Sequence, residues 1–105
     1  MKILQHPHVD DIQLSSVLHA LSDPIRLQII QDIAAQGERA CNSFEVPVAK
    51  STMTHHIRTL REAGIVHVRV QGTQHLVALR AEELNQRFPG VLSSILDAAK
   101  LVQES

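Results

Sequence analysis

Tryptophan and tyrosine are absent from the 105 residues of this chain, and phenylalanine occurs only twice. A packed interior must therefore be assembled from Leu, Ile, Val and Ala. Cysteine occurs once, as Cys41, so no intrachain disulfide can form, which suits a reducing compartment. The opening MKILQHPHVDD lacks the run of about seven or more apolar residues of a secretion signal. No stretch approaches the roughly 18 apolar residues that span a bilayer. A cytoplasmic protein with no membrane partner is expected. Also missing are a glycine-rich phosphate loop, a convincing acid/base pair and a nucleophile motif, so neither an enzyme nor a cofactor is expected. With no internal repeat or low-complexity linker, residues 1–105 read as one small domain.

The net charge of −1 conceals an uneven distribution. Between Val48 and Arg80 stand Lys50, Arg58, Arg61, Arg69 and Arg80, against the single acid Glu62. Four of the seven histidines (His55, His56, His67 and His75) lie in the same stretch. A basic segment on an otherwise acidic small domain marks a polyanion binder. A solvated charged face is the alternative.

Apolar spacing divides the chain into elements. VDDIQLSSVLHAL, residues 9–21, has an approximately helical stripe of Val9, Ile12, Val17, Leu18 and Leu21. In SDPIRLQIIQDIAAQG, Ser22 or Asp23 caps a second helix, Pro24 suits its first turn and Gly37 ends it. Residues 38–50 are the least regular and suggest one short helix broken at Pro47. A further helix spans about 51–64, closed by Gly64. The period then changes to two in IVHVRVQGTQHLVALR, where Gly72-Thr73 suits a two-residue hairpin turn within residues 65–80. The remainder is helical with an interruption at Pro89-Gly90. This order predicts a mainly α protein with a small β-hairpin (α+β), a winged helix-turn-helix with recognition helix 51–64 and wing 65–80.

Two motifs carry a family resemblance. LSDPIRLQII resembles the L-x-D/E-P-x-R-L-x-I-L signature of the ArsR/SmtB-type bacterial repressors, and KSTMTHHIRTLREAGIV resembles their recognition helix with its L-R-E-A-G-L-V exit. The resemblance runs from about Val17 to Arg80. It implies a dimeric transcriptional regulator, usually a repressor released by an inducer. The sensing positions depart from the metal-binding members. Their C-V-C pair falls on Ala40 and Asn42, with Cys41 between, and the last helix offers Asp97 and Glu104 but no histidine.

Helical geometry assigns the residues around the His55-His56 doublet. Neighbouring side chains diverge by about 100°, so the two rings cannot share one small ligand. His56 falls at the edge of the Met53, Ile57 and Leu60 stripe, where a half-buried ring bonded to backbone is expected. His55 falls with Ser51, Arg58 and Glu62 on the solvent side. The expected DNA face is Lys50, Ser51, Thr52, Thr54, His55 and Arg58 on the helix, with Arg69, Gln71, Thr73, Gln74 and His75 on the wing. Arg61 is expected to pack or pair within the fold.

Helices 9–21 and 90–103 are expected to dimerise two copies through Val9, Ile12, Val17, Val91, Leu92, Ile95, Leu96, Ala99 and Val102, with packing within one chain as the alternative. Such a dimer suits a pseudo-palindromic operator in double-stranded DNA. Residues 1–8 read as a flexible terminus. Cys41 is a weak sensing candidate, and a zinc site joining it to His6 and His8 is the less favoured reading. No metal is assigned, and an unidentified small-molecule inducer is left open. Two other functions fit less well: a protein-interaction module that binds no DNA, and a metal- or thiol-responsive sensor.

Overall fold

The second helix shows most directly how the sequence builds the structure, a computed structural model that describes residues 4–104. Helix α2 spans Pro24–Gln36. The Asp23 carboxylate accepts the backbone N–H of Ile25 at 2.8 Å and of Arg26 at 3.1 Å, filling the donors that a helix start leaves free. Gly37 ends the helix, and Ile29, Ile30 and Ile33 face inward. Before it, α1 spans Leu14–Ala20; after it, α3 spans Lys50–Glu62 and buries Met53, His56, Ile57 and Leu60. Strands β1 (Arg39–Ala40), β2 (Val66–Gln71) and β3 (Gln74–Leu79) form an antiparallel sheet in the order β1-β3-β2. Helices α4 (Ala81–Arg87) and α5 (Val91–Glu104) follow. The core is aliphatic: Ile12, Ile29, Ile30, Leu60, Ile65, Val66 and Val77 are its largest fully buried side chains.

Two glycines fix the shape of the half built from α3 and the hairpin. Gly64, at φ +89°, turns the chain out of α3, and a Cβ there would lie 2.6 Å from Cγ1 of Ile12. Only glycine meets both the positive φ and the contact. Gly72, at φ +63°, takes the first place of the two-residue turn between paired Gln71 and Gln74. No non-glycine among the described residues has positive φ, in keeping with a glycine-first hairpin turn.

The structure corrects four expectations. Residues 9–21 are not one helix: a 3-10 turn over Val9–Asp11 gives way to extended backbone at Ile12 and Gln13 before α1 begins. The break lets Ile12 drop onto Gly64. Second, Ile12, Val17 and Leu92 belong to this chain's own core and are not available to a partner's face. Third, residues 38–49 hold no α-helix. β1 is followed by a 3-10 turn over Cys41–Ser43 and irregular chain to Ala49. The Ser43 hydroxyl donates to the Ala40 carbonyl at 2.7 Å, and around Pro47 the Val48 N–H donates to the Val46 carbonyl at 2.9 Å. These local bonds compete with a helical ladder. Fourth, residues 4–8 are not a free end, since Gln5, His6, Pro7 and His8 all accept hydrogen bonds from the domain. Residues 1–3 and the side chain of Glu104 lie outside the described part.

Candidate nucleic-acid interface

The two faces of α3 differ sharply. On its inner face His56 is buried, and its Nδ1 lies 3.2 Å from Nη1 of the buried Arg26. A guanidinium only donates, so Nδ1 accepts and the ring proton sits on Nε2. The partner is therefore an arginine side chain and not the backbone expected for this ring. Arg26 also donates from Nε to the Ala20 carbonyl at 2.6 Å, which fastens α3 to α2 and to the end of α1.

On its outer face, Lys50, Ser51, Thr52, Thr54, His55 and Arg58 are all exposed. The Thr54 hydroxyl donates back to the Lys50 carbonyl at 3.1 Å and keeps its acceptor lone pairs. The His55 and His56 ring centroids are 6.0 Å apart with planes tilted by 50°, the first ring exposed and the second buried. Ala49 supplies no side-chain cap, so the first turn of α3 leaves backbone N–H groups facing outward beside Ser51 and Thr52.

The wing tip presents Gln71, Thr73, Gln74 and His75, all exposed. Val70 is exposed as well, at 47% of its surface, although alternation aligned it with the buried Val66 and Val68. Toward the strand end the sheet has left the helices behind, so period two no longer separates an inner from an outer side.

Two of the five cations in this half are already ion-paired. Arg69 forms a two-pronged ion pair with Glu38, at 2.8 and 3.0 Å, and donates to Gln71 Oε1 at 3.2 Å. The Arg69 guanidinium holds the Glu38 carboxyl below the usual carboxylate range. Arg80 is buried and paired with Glu83 at 2.9 and 3.0 Å, and Arg61 donates to the Gln5 carbonyl. Among the described residues, Lys50, Arg58 and Arg61 have no ion-pair partner, and of these Lys50 and Arg58 are exposed. Sequence reasoning missed Glu38 and Glu83 as partners because both lie outside the segment they neutralise. Glu38 is 31 residues from Arg69, and only the sheet brings it near.

The sensing candidates are not brought together. Cys41 is half-buried, and burial pushes its thiol up, away from a reactive thiolate. His6 accepts the Val68 N–H and His8 accepts the Asp10 N–H. Among the described residues, no three His, Cys, Asp or Glu side chains converge as a metal-binding group, and no helix is long and apolar enough to cross a membrane.

Residues 21–69 match a family model described as a helix-turn-helix domain. The chain is 33% identical over 89 residues to YceK of Bacillus subtilis, an uncharacterized HTH-type transcriptional regulator, covering 82% of this chain and 89% of that one. It is 36% identical over 75 residues to the arsenical resistance operon repressor of Staphylococcus xylosus, covering 70% and 71% respectively. The crystal structure of the transcriptional repressor BigR from Xylella fastidiosa superposes with a TM-score of 0.58 at 26% identity, over 71% of this chain and 85% of that one. An anchored helix with an exposed polar face, flanked by a hairpin wing and shared with such relatives over most of their length, places this chain in the ArsR-type winged helix-turn-helix family, DNA-binding transcriptional regulators and not enzymes.

Proposed function

We propose that the chain acts in the cytoplasm as a homodimeric repressor that reads a pseudo-palindromic operator and is released by a small-molecule inducer. The observation that carries this reading is the division of α3. Its buried side is locked by Arg26 and His56, while Ser51, Thr52, His55 and Arg58 stand exposed. A rigid helix with short hydroxyls and a cation suits major-groove base edges, and its first turn suits a phosphate. Arg58 reads a base or phosphate, Lys50 meets a phosphate, and Thr54 lines the helix flank. Gln71, Thr73, Gln74 and His75 follow the neighbouring groove or backbone, with Arg69 as a paired cation behind them.

The dimer face lies on α1 and α5. With Ile12, Val17 and Leu92 committed to the core, the proposed face consists of exposed Leu14, Leu18, Leu101 and Val102 with half-buried Val91, Ile95 and Ala99. Val9 and Leu96, also half-buried, lie at its margin. Large apolar side chains left exposed on both helices suit a face covered by a second copy of the chain.

The inducer is not a soft metal held by this chain's own thiolates. One relative is named for arsenical resistance, but a single Cys41 with a raised pKa is a poor trivalent-arsenic ligand. A small organic inducer seated between the dimer helices fits better.

The test is a titration of labelled duplex from upstream of the chain's own gene, with unrelated competitor DNA, alongside sedimentation of the free protein. Competitor-resistant binding and a dimer at micromolar concentration support the reading. A monomer of 11.6 kDa, or binding abolished by competitor, overturns it.

A further inference from the structure

Residues 5–8 form a strap across three parts of the DNA-facing half. The Arg61 guanidinium, at the end of α3, donates to the Gln5 carbonyl. The backbone N–H of Val68, on the outer edge of β2, donates to Nε2 of His6 at 3.0 Å. Arg80, where the chain leaves β3, donates from Nη1 to the Pro7 carbonyl at 2.9 Å. Strand β2 pairs with β3 along its other side only, so His6 caps an otherwise open sheet edge. The His6 ring is stacked on His67, with centroids 4.3 Å apart and planes 12° from parallel. DNA binding as proposed above uses none of these strap contacts.

We propose that His6 is a positioning residue for DNA binding, a latch that holds α3 and the wing in register while its ring is neutral and lets go when the ring is protonated. This rests on the operator-reading function proposed above.

The hydrogen bond sets the direction of the switch. Nε2 accepts from Val68 through its lone pair, which places the ring proton on Nδ1, beside the Leu4 carbonyl. A proton added at Nε2 would oppose one donor with another and break the bond. The new cation would lie against His67 of β2, with Arg61 of α3 and Arg80 nearby. Arg69 lines the same groove but is paired with Glu38. The carboxylates near the strap are engaged elsewhere: Glu83 of α4 by Arg80, and Asp10 beside His8 at 3.6 Å.

Burial first, then His67, Arg61 and Arg80, hold the His6 pKa below its ordinary 6.5. The released strap therefore binds the proton more tightly than the latched one. The latch is fully present above pH 6.5 and is lost as pH falls through the lower, latched value.

The test follows the Val68 amide by NMR in the full chain from about pH 8 to about pH 5, beside binding to the upstream duplex. His6→Gln supplies an oxygen acceptor that does not titrate, and His67→Phe keeps the ring stack without the His67 charge. In the wild type and in His67→Phe, the Val68 signal is expected to titrate with a midpoint below 6.5 and to lose exchange protection. In His6→Gln it stays flat. Wild-type affinity of the dimer falls by up to about tenfold per pH unit for each linked proton, so by up to about a hundredfold across its two His6 latches, and markedly less in His6→Gln. His55, His56 and His75 are common to all three proteins, so the comparison isolates position 6. A Val68 response that persists in His6→Gln or vanishes in His67→Phe overturns the latch. So does an equal loss of affinity in wild type and His6→Gln. Absence of binding by every variant at pH 8 overturns the operator reading instead, and the Val68 titration still decides whether the latch exists.

Discussion

Arg26 on α2 and His56 on α3 meet across 3.2 Å inside the protein, and each is the other's side-chain partner. His56→Ala leaves the guanidinium short of one buried acceptor and opens a ring-sized space. Urea unfolding is expected to show a loss of about 1–3 kcal/mol. His55→Ala, one residue away on the exposed face, should stay within about 0.5 kcal/mol of wild type while weakening operator binding. Equal stability losses for the two variants would contradict the division of the doublet.

Gly64 and Gly72 separate two costs that a glycine can hide. Both have positive φ, but a Cβ at Gly64 also strikes Ile12, whereas nothing lies within 4 Å of one at Gly72. Gly72→Ala is expected to lose on the order of 1 kcal/mol from the backbone alone. Gly64→Ala should lose clearly more, and thermal unfolding of the two variants gives the comparison. A smaller loss at Gly64 would mean that the seat of Ile12 gives way easily.

Glu38 restrains the one wing-strand arginine expected to face DNA. Glu38→Gln removes the countercharge from Arg69 and leaves the sheet intact. Affinity for the upstream duplex is expected to rise, and the slope of log affinity against log salt should steepen by about one per released arginine. An unchanged slope would keep Arg69 away from phosphate.

The same accounting sets the wild-type salt response. If only Lys50 and Arg58 of each protomer neutralise phosphates, the dimer slope should be about −4. Were all five cations of residues 48–80 engaged, it would be about −9. A mobility-shift series over salt concentration separates the two.

α2, α3 and the hairpin were readable in the sequence because their signals are local: the Asp23-Pro24 start, the Gly37 and Gly64 stops, and the Gly72 turn. The side of α3 that carries His55 followed from helical period alone. What escaped depended on distant partners. Ile12 reads as part of a helical stripe until Gly64 offers it a seat, and that seat breaks the expected first helix. β1 is two residues whose pairing with Val77 and Leu76 has no local signature. A charge count along the chain cannot see Glu38 folding back onto Arg69.

A DNA-reading role for the exposed face of α3 depends above all on Arg58. Arg58→Ala should be titrated beside wild type against the upstream duplex and against a scrambled duplex of equal length. A loss of about 1–3 kcal/mol is expected on the upstream duplex, with a much smaller change on the scrambled one. Superimposable isotherms for the two proteins would contradict it.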